Sequence, residues 1–195
     1  MHYYSEKQDS ELRYNEIVVN LLGDTLKFFL ASGVFSRTKV DSGSELLIKN
    51  ALIKEDWSVL DLGCGNGVIG ITIGKAYPKT KVTLSDINER AIGTSKKNAL
   101  LNHIKVNVIK SNAYEKLNQK FDTILLNPPQ TAGKDLCFKM IREAKDHLND
   151  KGLLQIVARS KKGGKSLNNY MVEIFSNCVV TAKKGGFWVY VSKNG

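Results

Sequence analysis

The sequence predicts an α/β fold with a seven-stranded, mostly parallel sheet, helices on both faces of the sheet and an antiparallel hairpin at the C-terminus. Two patterns predict this fold. From Trp57 onward, short apolar runs of strand length alternate with longer runs of helical spacing, as in the βα units of a parallel sheet. Near the C-terminus, the strand-like runs 178–183 and 187–192 are separated by a short segment with two glycines, which indicates an antiparallel pair.

The other elements of this core follow in regular order. Apolar runs predict the remaining strands, at 57–62, 81–86, 104–110, 121–127 and 152–158. Runs with helical spacing predict the helices, at 67–77, 88–102, 133–149 and 165–176. Residues 111–119 are predicted to form a loop.

The first 50 residues are predicted to form an arm, a hairpin and a helix ahead of this core. Residues 1–14 are polar and predict a loosely held arm. The apolar runs 17–22 and 26–30 flank Gly23-Asp24, which indicates a β-hairpin, although their imperfect alternation also permits one merged helix. Residues 45–52 have helical spacing, and Ser or Asp side chains before them can cap the helix.

Length and composition predict one soluble domain. A chain of 195 residues can bury a full core, so we expect 1–50 as the N-terminal arm, hairpin and lead-in helix and 55–195 as the core of a single domain. No apolar run reaches the length of about 18 residues that a membrane span needs, and the N-terminus has no secretory pattern. We therefore expect a cytoplasmic protein that does not enter a membrane.

Cysteine and histidine usage predicts no metal site. Cys64, Cys137 and Cys178 are odd in number and widely spaced, which is typical of buried apolar fillers in a reduced compartment. The three histidines lie in unrelated parts of the chain, so neither a metal cluster nor a Ser/His/Asp arrangement can be built from them.

The charge of the chain indicates a polyanionic partner. Its 29 basic and 19 acidic residues give a formal net charge of +10. Neutralisation of phosphates by such an excess favours RNA or DNA as a partner.

A glycine-rich corner after the first core strand indicates a cofactor site. Asp61 precedes Gly63, Gly65 and Gly67, after which the predicted helix begins. A strand, a glycine turn and a helix N-terminus can present free N–H groups to a nucleotide-like cofactor. Asp86 ends the next strand, where an acid can accept hydrogen bonds from both ribose hydroxyls; its alternative role is N-cap of helix 88–102.

A third motif, Asn127-Pro128-Pro129-Gln130, follows the strand 121–127. Together with the glycine corner and Asp86, it resembles the motifs of class I S-adenosylmethionine-dependent methyltransferases that act on exocyclic amino or amide nitrogens. These enzymes have a Rossmann-like fold with the C-terminal hairpin predicted above. The resemblance implies S-adenosylmethionine as the cofactor.

A narrower resemblance comes from the residues before the core. Gly33-Val34-Phe35-Ser36-Arg37, Asp41 and Gly43-Ser44 are similar to the stretch that leads into the catalytic domain of ribosomal RNA guanine-N2 methyltransferases, in the "methyltransferase small domain" family. The resemblance covers roughly residues 30–195. Its last third is most similar to small stand-alone archaeal members.

The resemblance assigns roles to individual residues. Asn127 and Pro128 are the catalytic candidates, since a side-chain oxygen and a carbonyl oxygen can accept the N–H bonds of the target nitrogen. Asn112 stands where the family usually has an acid, and its carbonyl oxygen can accept from the adenine amino group. The predicted cofactor-binding residues are Asp61, Gly63, Cys64, Gly65, Asp86, Ile87, Asn112, Ala113 and Asn127.

The predicted substrate contacts are aromatic and basic. Gln130 occupies the position where the family usually has an aromatic residue that stacks on the base, so Phe35, or Phe187 and Trp188, are the alternative platforms. The basic, glycine-rich loop 159–166 lacks the first glycine of a phosphate loop, yet suits a nucleic-acid phosphate; the alternative is a solvated loop. The substrate-binding candidates are Phe35, Pro129, Gln130, Arg159, Lys161, Lys162 and Lys165.

These observations predict methyl transfer from S-adenosylmethionine to an exocyclic amine, guanine N2 of ribosomal, transfer or other structured RNA. One alternative is N5-methylation of a protein glutamine, which related release-factor methyltransferases perform with the same Asn-Pro-Pro motif. Another is an RNA-binding module without catalytic activity.

Overall fold

The computed structural model describes Glu6 and residues 11–36 and 38–195. Its first elements are the antiparallel strands β1 (Tyr14–Leu21) and β2 (Asp24–Ala31), which form a separate two-stranded sheet. The predicted hairpin is therefore confirmed and the merged helix is wrong. Most of the predicted polar arm, and Arg37 with it, lie outside the described residues.

The rest of the chain alternates strands and helices as predicted. The elements are α1 (Ser42–Asn50), β3 (Ser58–Leu62), α2 (Val68–Ala76), β4 (Lys81–Asp86), α3 (Glu89–Leu101), β5 (Asn107–Lys110), β6 (Phe121–Leu126), α4 (Lys134–Ala144), β7 (Leu148–Arg159), α5 (Lys165–Phe175), β8 (Val179–Lys184) and β9 (Phe187–Lys193).

Strands β3 to β9 form one sheet in the order β5-β4-β3-β6-β7-β9-β8. Strands β3 to β7 pair in parallel, whereas β9 is antiparallel to both β7 and β8. The seven-stranded, mostly parallel sheet and its C-terminal hairpin are thus confirmed. Because β4 and β6 lie on opposite sides of β3, the chain changes direction there, and ligands of open α/β sheets bind beside such a switch point at the carboxyl ends of the strands.

The sheet separates two apolar cores. Along β3, Val59 packs into one core with residues of α1 and α2, whereas Leu60 and Leu62 pack into the other with residues of α4 and α5. The alternation of side chains along a strand places successive residues on opposite faces. Helices therefore cover both faces, as predicted.

The main difference from the prediction lies between α4 and β7. Helix α4 ends at Ala144 rather than at 149, and β7 begins at Leu148 rather than at 152. Leu148 pairs with Phe121, and the register then shifts before Leu153 pairs with Thr123. The polar residues of this irregularity match a turn in sequence, so the pattern alone placed the start of the strand too late.

The β1–β2 hairpin is fixed to the core by two asparagine side chains, Asn98 in α3 and Asn102 directly after it. Asn98 accepts from the Phe29 N–H at 2.8 Å and donates to the Phe29 carbonyl at 2.9 Å. Asn102 makes the same pair of bonds with Lys27, at 3.0 and 2.7 Å. These side chains act like a partner strand for β2 and hold the segment after the hairpin near the end of β3.

Candidate active site

A cavity of about 450 Å³ lies at the switch point of the sheet. It is lined by residues that follow β3, β4, β5 and β6, together with the segment before α1 and the start of the basic loop. The residues from the sheet edge that the sequence singled out and that line the cavity are Gly63, Cys64, Gly65, Asp86, Ile87, Asn112, Ala113, Asn127, Pro128, Pro129 and Gln130.

The glycines after β3 serve two different purposes. Gly63, Gly65 and Gly67 all have positive φ, between 54° and 80°. A Cβ on Gly63 would meet nothing within 4 Å, whereas one on Gly67 would lie 2.9 Å from Ile71 and 3.0 Å from Ser95. Gly63 therefore opens onto the cavity, while Gly67, part of the same predicted cofactor corner, is required by helix packing.

The N–H groups of this turn are largely engaged within the protein. Gly63 and Cys64 both donate to the Ser85 carbonyl, at 2.8 and 2.9 Å, and Gly65 donates to Asp86 Oδ2 at 2.8 Å. At these three positions the N–H groups are therefore not free for a cofactor. The engaged N–H groups instead hold the turn against β4.

Asp86 lies in the cavity wall with both carboxylate oxygens oriented. Oδ1 accepts from the Asn88 N–H at 2.9 Å, and Oδ2 accepts from Gly65. Asn88, not Asp86, caps α3, because its side chain accepts from the N–H groups of Arg90 and Ala91. The alternative role of Asp86 as the cap is therefore wrong. Burial raises the pKa of Asp86.

Asp61 is buried outside the cavity lining. Its Oδ2 accepts from the Gly70 N–H at 2.8 Å, which ties α2 to β3, while its Oδ1 has no hydrogen-bond partner among the described residues. Burial, with a smaller effect of the Asp86 carboxylate, raises the pKa of Asp61 to about 7. Asp61, a predicted cofactor-binding residue, is therefore not among the residues that line the cavity, and its role in cofactor binding stays a prediction.

Asn112 and Ala113 close the cavity at the end of β5. The Asn112 Nδ2 donates to Glu115 at 2.6 Å, so the carbonyl oxygen of the side chain is left as an acceptor. Ala113 has a positive φ of 47° in this turn. This arrangement is compatible with the predicted acceptor role of Asn112.

The segment after β2 forms a wall that the sequence did not predict in detail. The side chain of Asn66, in the glycine corner, donates to the Phe35 carbonyl at 3.0 Å. The Asn88 side chain donates to the Gly33 carbonyl at 2.9 Å. Phe35 lines the cavity and is 39% exposed, so it lies at the mouth.

Asn127 follows the last residue of β6 and lines the cavity. Its Nδ2 donates to Asp41 Oδ2 at 3.1 Å and to Ser44 Oγ at 2.9 Å. In the sequence, Asp41 and Ser44 stand out only through the family resemblance and as candidate caps of the following helix. No local pattern connects residues more than 80 positions apart, so their contact with Asn127 could not be predicted.

The two prolines shape the backbone beside Asn127. Pro129 has φ −73° and ψ 74°, the values of an inverse γ-turn, and the Gln130 N–H donates to the Pro128 carbonyl at 2.8 Å. A carbonyl oxygen has two lone pairs, so Pro128 retains one as an acceptor.

Gln130 holds the basic loop rather than a base. Its Nε2 donates to the Lys162 carbonyl at 2.8 Å, and its Oε1 accepts from the Arg159 N–H at 2.9 Å. Both ends of the side-chain amide are thus engaged. The side chain thereby bridges the Asn-Pro-Pro motif and the loop, and its predicted contact with the substrate stays a prediction.

Part of the basic loop reaches the cavity. Arg159 and Lys162 line it, whereas Lys161 and Lys165 are exposed outside the lining. The Arg159 guanidinium lies 4.5 Å from the centre of the Phe187 ring, and Phe187 also lines the cavity.

Of the predicted aromatic platforms, Phe35 and Phe187 border the cavity. Trp188 packs against the core on the α4 and α5 side instead, because it is the next residue along β9 and points to the opposite face of the sheet.

Other chemistry is not supported in the part of the chain that the structure describes. No group of His, Cys, Asp or Glu residues there could hold a metal ion. Burial raises the pKa of all three cysteines, which disfavours the thiolate form needed for nucleophilic chemistry. None of the helices in the described ranges is both long and apolar enough for a membrane span.

Comparison with known families agrees with this geometry. The model of the Methyltransferase small domain family matches residues 25–191. The chain belongs to this family. The match includes the hairpin strand β2, the glycine corner, the Asn-Pro-Pro motif and nearly all of the terminal hairpin.

Relatives within the Methyltransferase small domain family differ in length. A Bacillus subtilis relative, the uncharacterized protein YbxB, is 34% identical over 196 residues and covers 98% of both chains. Ribosomal RNA small subunit methyltransferase C of Haemophilus influenzae (strain PittGG) is 36% identical over 175 residues, which are 88% of this chain and 52% of that protein. The chain therefore spans about half the length of the ribosomal RNA methyltransferases it matches.

Solved structures share the fold. The T. thermophilus 16S rRNA N2 G1207 methyltransferase, in complex with AdoMet and guanosine, superposes with a TM-score of 0.83 at 22% identity, over 97% of this chain and 52% of that one. A methyltransferase from Pyrococcus furiosus superposes with a TM-score of 0.71 at 21% identity, over 80% of this chain and 85% of that one.

Proposed function

We propose that the protein transfers a methyl group from S-adenosylmethionine to an exocyclic amine, and that this amine is N2 of guanine in structured RNA. The observation that carries the proposal is the shared cavity, which brings the glycine corner, Asp86 and the Asn127-Pro128 acceptors together. The membership of the Methyltransferase small domain family supports the reaction class.

The residues around the cavity fit the cofactor. The volume of about 450 Å³ lies within the range of about 300–1,000 Å³ of small-molecule and cofactor sites. Gly63 leaves open space where another residue would place a Cβ, and each oxygen of Asp86 retains lone pairs for a hydroxyl donor.

The cofactor would be held by residues at the ends of β3, β4 and β5, namely Gly63, Cys64, Gly65, Asp86, Ile87, Asn112 and Ala113. When bound, S-adenosylmethionine supplies an electrophilic methyl group on a sulfonium. We assign Asp61 an indirect contribution, through the position of α2.

Asn127 and Pro128 would prepare the nucleophile. An exocyclic amine on a base is a poor nucleophile because its lone pair is delocalised into the ring. Two oxygens that accept its N–H bonds can localise that lone pair and direct it at the methyl donor. Since the proton can leave after methyl transfer, little basicity is required, and the contribution of these residues is positioning and electrostatic alignment.

Several observations support RNA as the substrate. The net charge is +10, and Arg159 and Lys162 lie at the cavity. A relative and a structural neighbour are named as ribosomal RNA methyltransferases, and the neighbour contains guanosine. A base in a helix would have to leave its stack to reach Asn127.

The proposal is tested by incubating the protein with methyl-labelled S-adenosylmethionine and, in parallel, with total RNA, total protein or buffer alone. We expect label in RNA, and digestion of that RNA should yield N2-methylguanosine. Label in protein glutamine would establish the alternative substrate, and label in neither fraction would leave an RNA-binding module.

Two variants separate the roles within the cavity. Asn127→Ala should reduce methyl transfer by at least about 100-fold while cofactor affinity changes by less than about threefold, because its oxygen acts on the nucleophile. Asp86→Ala should weaken cofactor binding by about tenfold or more, since two hydroxyl contacts are lost. Equal loss of both properties in Asn127→Ala would show that the residue is only structural.

A further inference from the structure

The amide group of Asn127 is held in one of its two possible orientations. Both hydrogens of its Nδ2 are engaged, one by Asp41 Oδ2 at 3.1 Å and one by Ser44 Oγ at 2.9 Å. A carboxylate oxygen can only accept hydrogen bonds, so the reversed amide would place two oxygens against each other. Asp41 therefore determines which end of the amide faces it, and Oδ1 is the end left for a ligand.

The two residues that hold the amide are themselves fixed by the start of α1. Asp41 is the N-cap of this helix: the same Oδ2 accepts from the Ser44 N–H at 3.0 Å, and the Asp41 carbonyl accepts from the Glu45 N–H at 2.9 Å. Ser44 is buried, and a Cβ on the neighbouring Gly43 would lie 2.9 Å from the Phe187 ring. The helix end therefore has little freedom to turn away from Asn127.

We propose that Asp41 and Ser44 are positioning residues that select the orientation of the Asn127 amide and thereby the kind of nucleophile that the site takes. With Oδ1 presented, the site matches a nucleophile that brings N–H bonds, such as an amine or an amide. With the amide reversed, the NH₂ group would bind the lone pair that has to attack. This inference rests on the proposed function. It adds the two residues that would make the Asn127 and Pro128 acceptors selective for a nucleophile with N–H bonds.

The orientation can be measured without turnover. In ¹⁵N-labelled protein, the two Nδ2 protons of Asn127, identified by their absence in Asn127→Ala, should exchange slowly with water because both are hydrogen-bonded. Ser44→Ala should speed the exchange of one of them by about tenfold, the effect of losing one hydrogen bond. Glu45→Gln, in the same helical turn but without a contact to Asn127, is the matched control and should change neither. Equal exchange in the wild type and Ser44→Ala would overturn the proposal.

Kinetics then test whether the orientation matters for catalysis. Ser44→Ala should lower kcat by about tenfold, with KM for RNA and the cofactor Kd within about threefold. Asp41→Asn should retain at least about a third of kcat. The Ser44 N–H would still bind the side-chain oxygen of the new amide, and that oxygen could then also accept from Asn127 Nδ2. Asp41→Gly, which removes that oxygen at a position where glycine is tolerated as a cap, should lose about tenfold or more.

Two results would contradict the catalytic part. If Asp41→Asn is as impaired as Asp41→Gly, the charge matters rather than the acceptor. If Ser44→Ala lowers the melting temperature and cofactor affinity together with kcat, its role is structural. Should the wild type methylate no RNA, the proposed function would be wrong, whereas the exchange of the Asn127 protons would still decide the orientation.

Discussion

At the scale of single residues, the site depends on polar groups whose partners are inside the protein. Asp86 is oriented by two backbone N–H groups, and both ends of the Gln130 side-chain amide are hydrogen-bonded to the basic loop. Asp61 differs, because one carboxylate oxygen is buried without a partner among the described residues. A buried polar atom without a partner reduces stability, so we expect Asp61 to have a measurable effect on folding.

Asp61 should make stability fall as pH rises. Its pKa is about 7 in the folded protein against an ordinary value of 3.8, so between these values the folded state binds the additional proton. The free energy of unfolding should then decrease with pH in this window, by up to about 1.4 kcal/mol per pH unit, and level off above pH 7.

The measurement is denaturant unfolding of the wild type and Asp61→Asn from pH 4 to pH 8. The variant cannot titrate at this position, so its stability relative to the wild type should increase across the window. The comparison isolates Asp61, because Asp86 titrates in both proteins. A constant difference between the two curves would show that Asp61 keeps an ordinary pKa.

At the scale of elements, the turn between β3 and α2 is determined by backbone geometry and close packing. Gly67 has φ 80° and no space for a Cβ, whereas Gly93, within α3, has nothing within 4 Å of that position. In the sequence, both are glycines at or within a predicted helix. Only the packing distinguishes a required glycine from a replaceable one.

This difference predicts opposite effects for the same substitution. Gly67→Ala should lower the free energy of unfolding by about 1–3 kcal/mol, through backbone strain and contact with Ile71. Gly93→Ala should raise it by about 0.5–1 kcal/mol, because alanine has the higher helix propensity. Urea unfolding of both variants measures the two effects, and a stabilised Gly67→Ala would contradict the packing argument.

The basic loop between β7 and α5 should depend on Gln130. Gln130→Ala removes both bonds to the loop, so Arg159 and Lys162 should lose their fixed place at the cavity. We expect KM for RNA to rise by about threefold to tenfold, the effect of one or two hydrogen bonds, with the cofactor Kd unchanged.

Gln119→Ala is the matched control for this prediction. Gln119 is an exposed glutamine whose side chain donates to Thr83 and which does not line the cavity. Its KM for RNA should equal that of the wild type. An unchanged KM in Gln130→Ala would mean that the loop holds its place without the bridge.

At the scale of the whole molecule, charge and architecture act together. The parallel strands bring the ends of β3 to β7 to one edge, and the basic residues Arg159 and Lys162 lie at that edge. Helix α2 begins at this edge and runs back across the sheet, so Lys75 in its last turn lies at the opposite edge. A polyanion bound at the cavity should therefore contact Arg159 and Lys162 and not Lys75.

RNA affinity should fall steeply with salt concentration. The steepness of this fall should report how many of these phosphate contacts are made. The slope of log K against log salt should become shallower by about one for each phosphate contact that is removed. We expect this for Arg159→Gln and for Lys162→Gln, and no change for Lys75→Gln. Filter binding at several salt concentrations, from about 50 to about 300 mM, measures the slopes. Equal slopes for all three variants would place the RNA elsewhere.

The sequence by itself determined the fold and the residues at the strand ends that line the cavity. Burial alternates along a strand and follows the helical period along a helix. The succession of strands and helices along the chain from β3 to β9 could therefore be predicted from apolar spacing. Gly63, Asp86 and Asn127 are local to strand ends, and parallel strands place their carboxyl ends at one edge. Local patterns were sufficient because each of these features depends only on neighbouring residues and on the direction of the strands.

The tertiary structure decided what the polar side chains of the cavity do. Asp61 turned out to tie α2 to β3, Gln130 to hold the basic loop, and Asp41 to fix the amide of Asn127 from 86 residues away. A hydrogen bond is directional and short, so the partner of a side chain is known only when the chain has brought both groups within about 3 Å. No periodicity in the sequence carries that information.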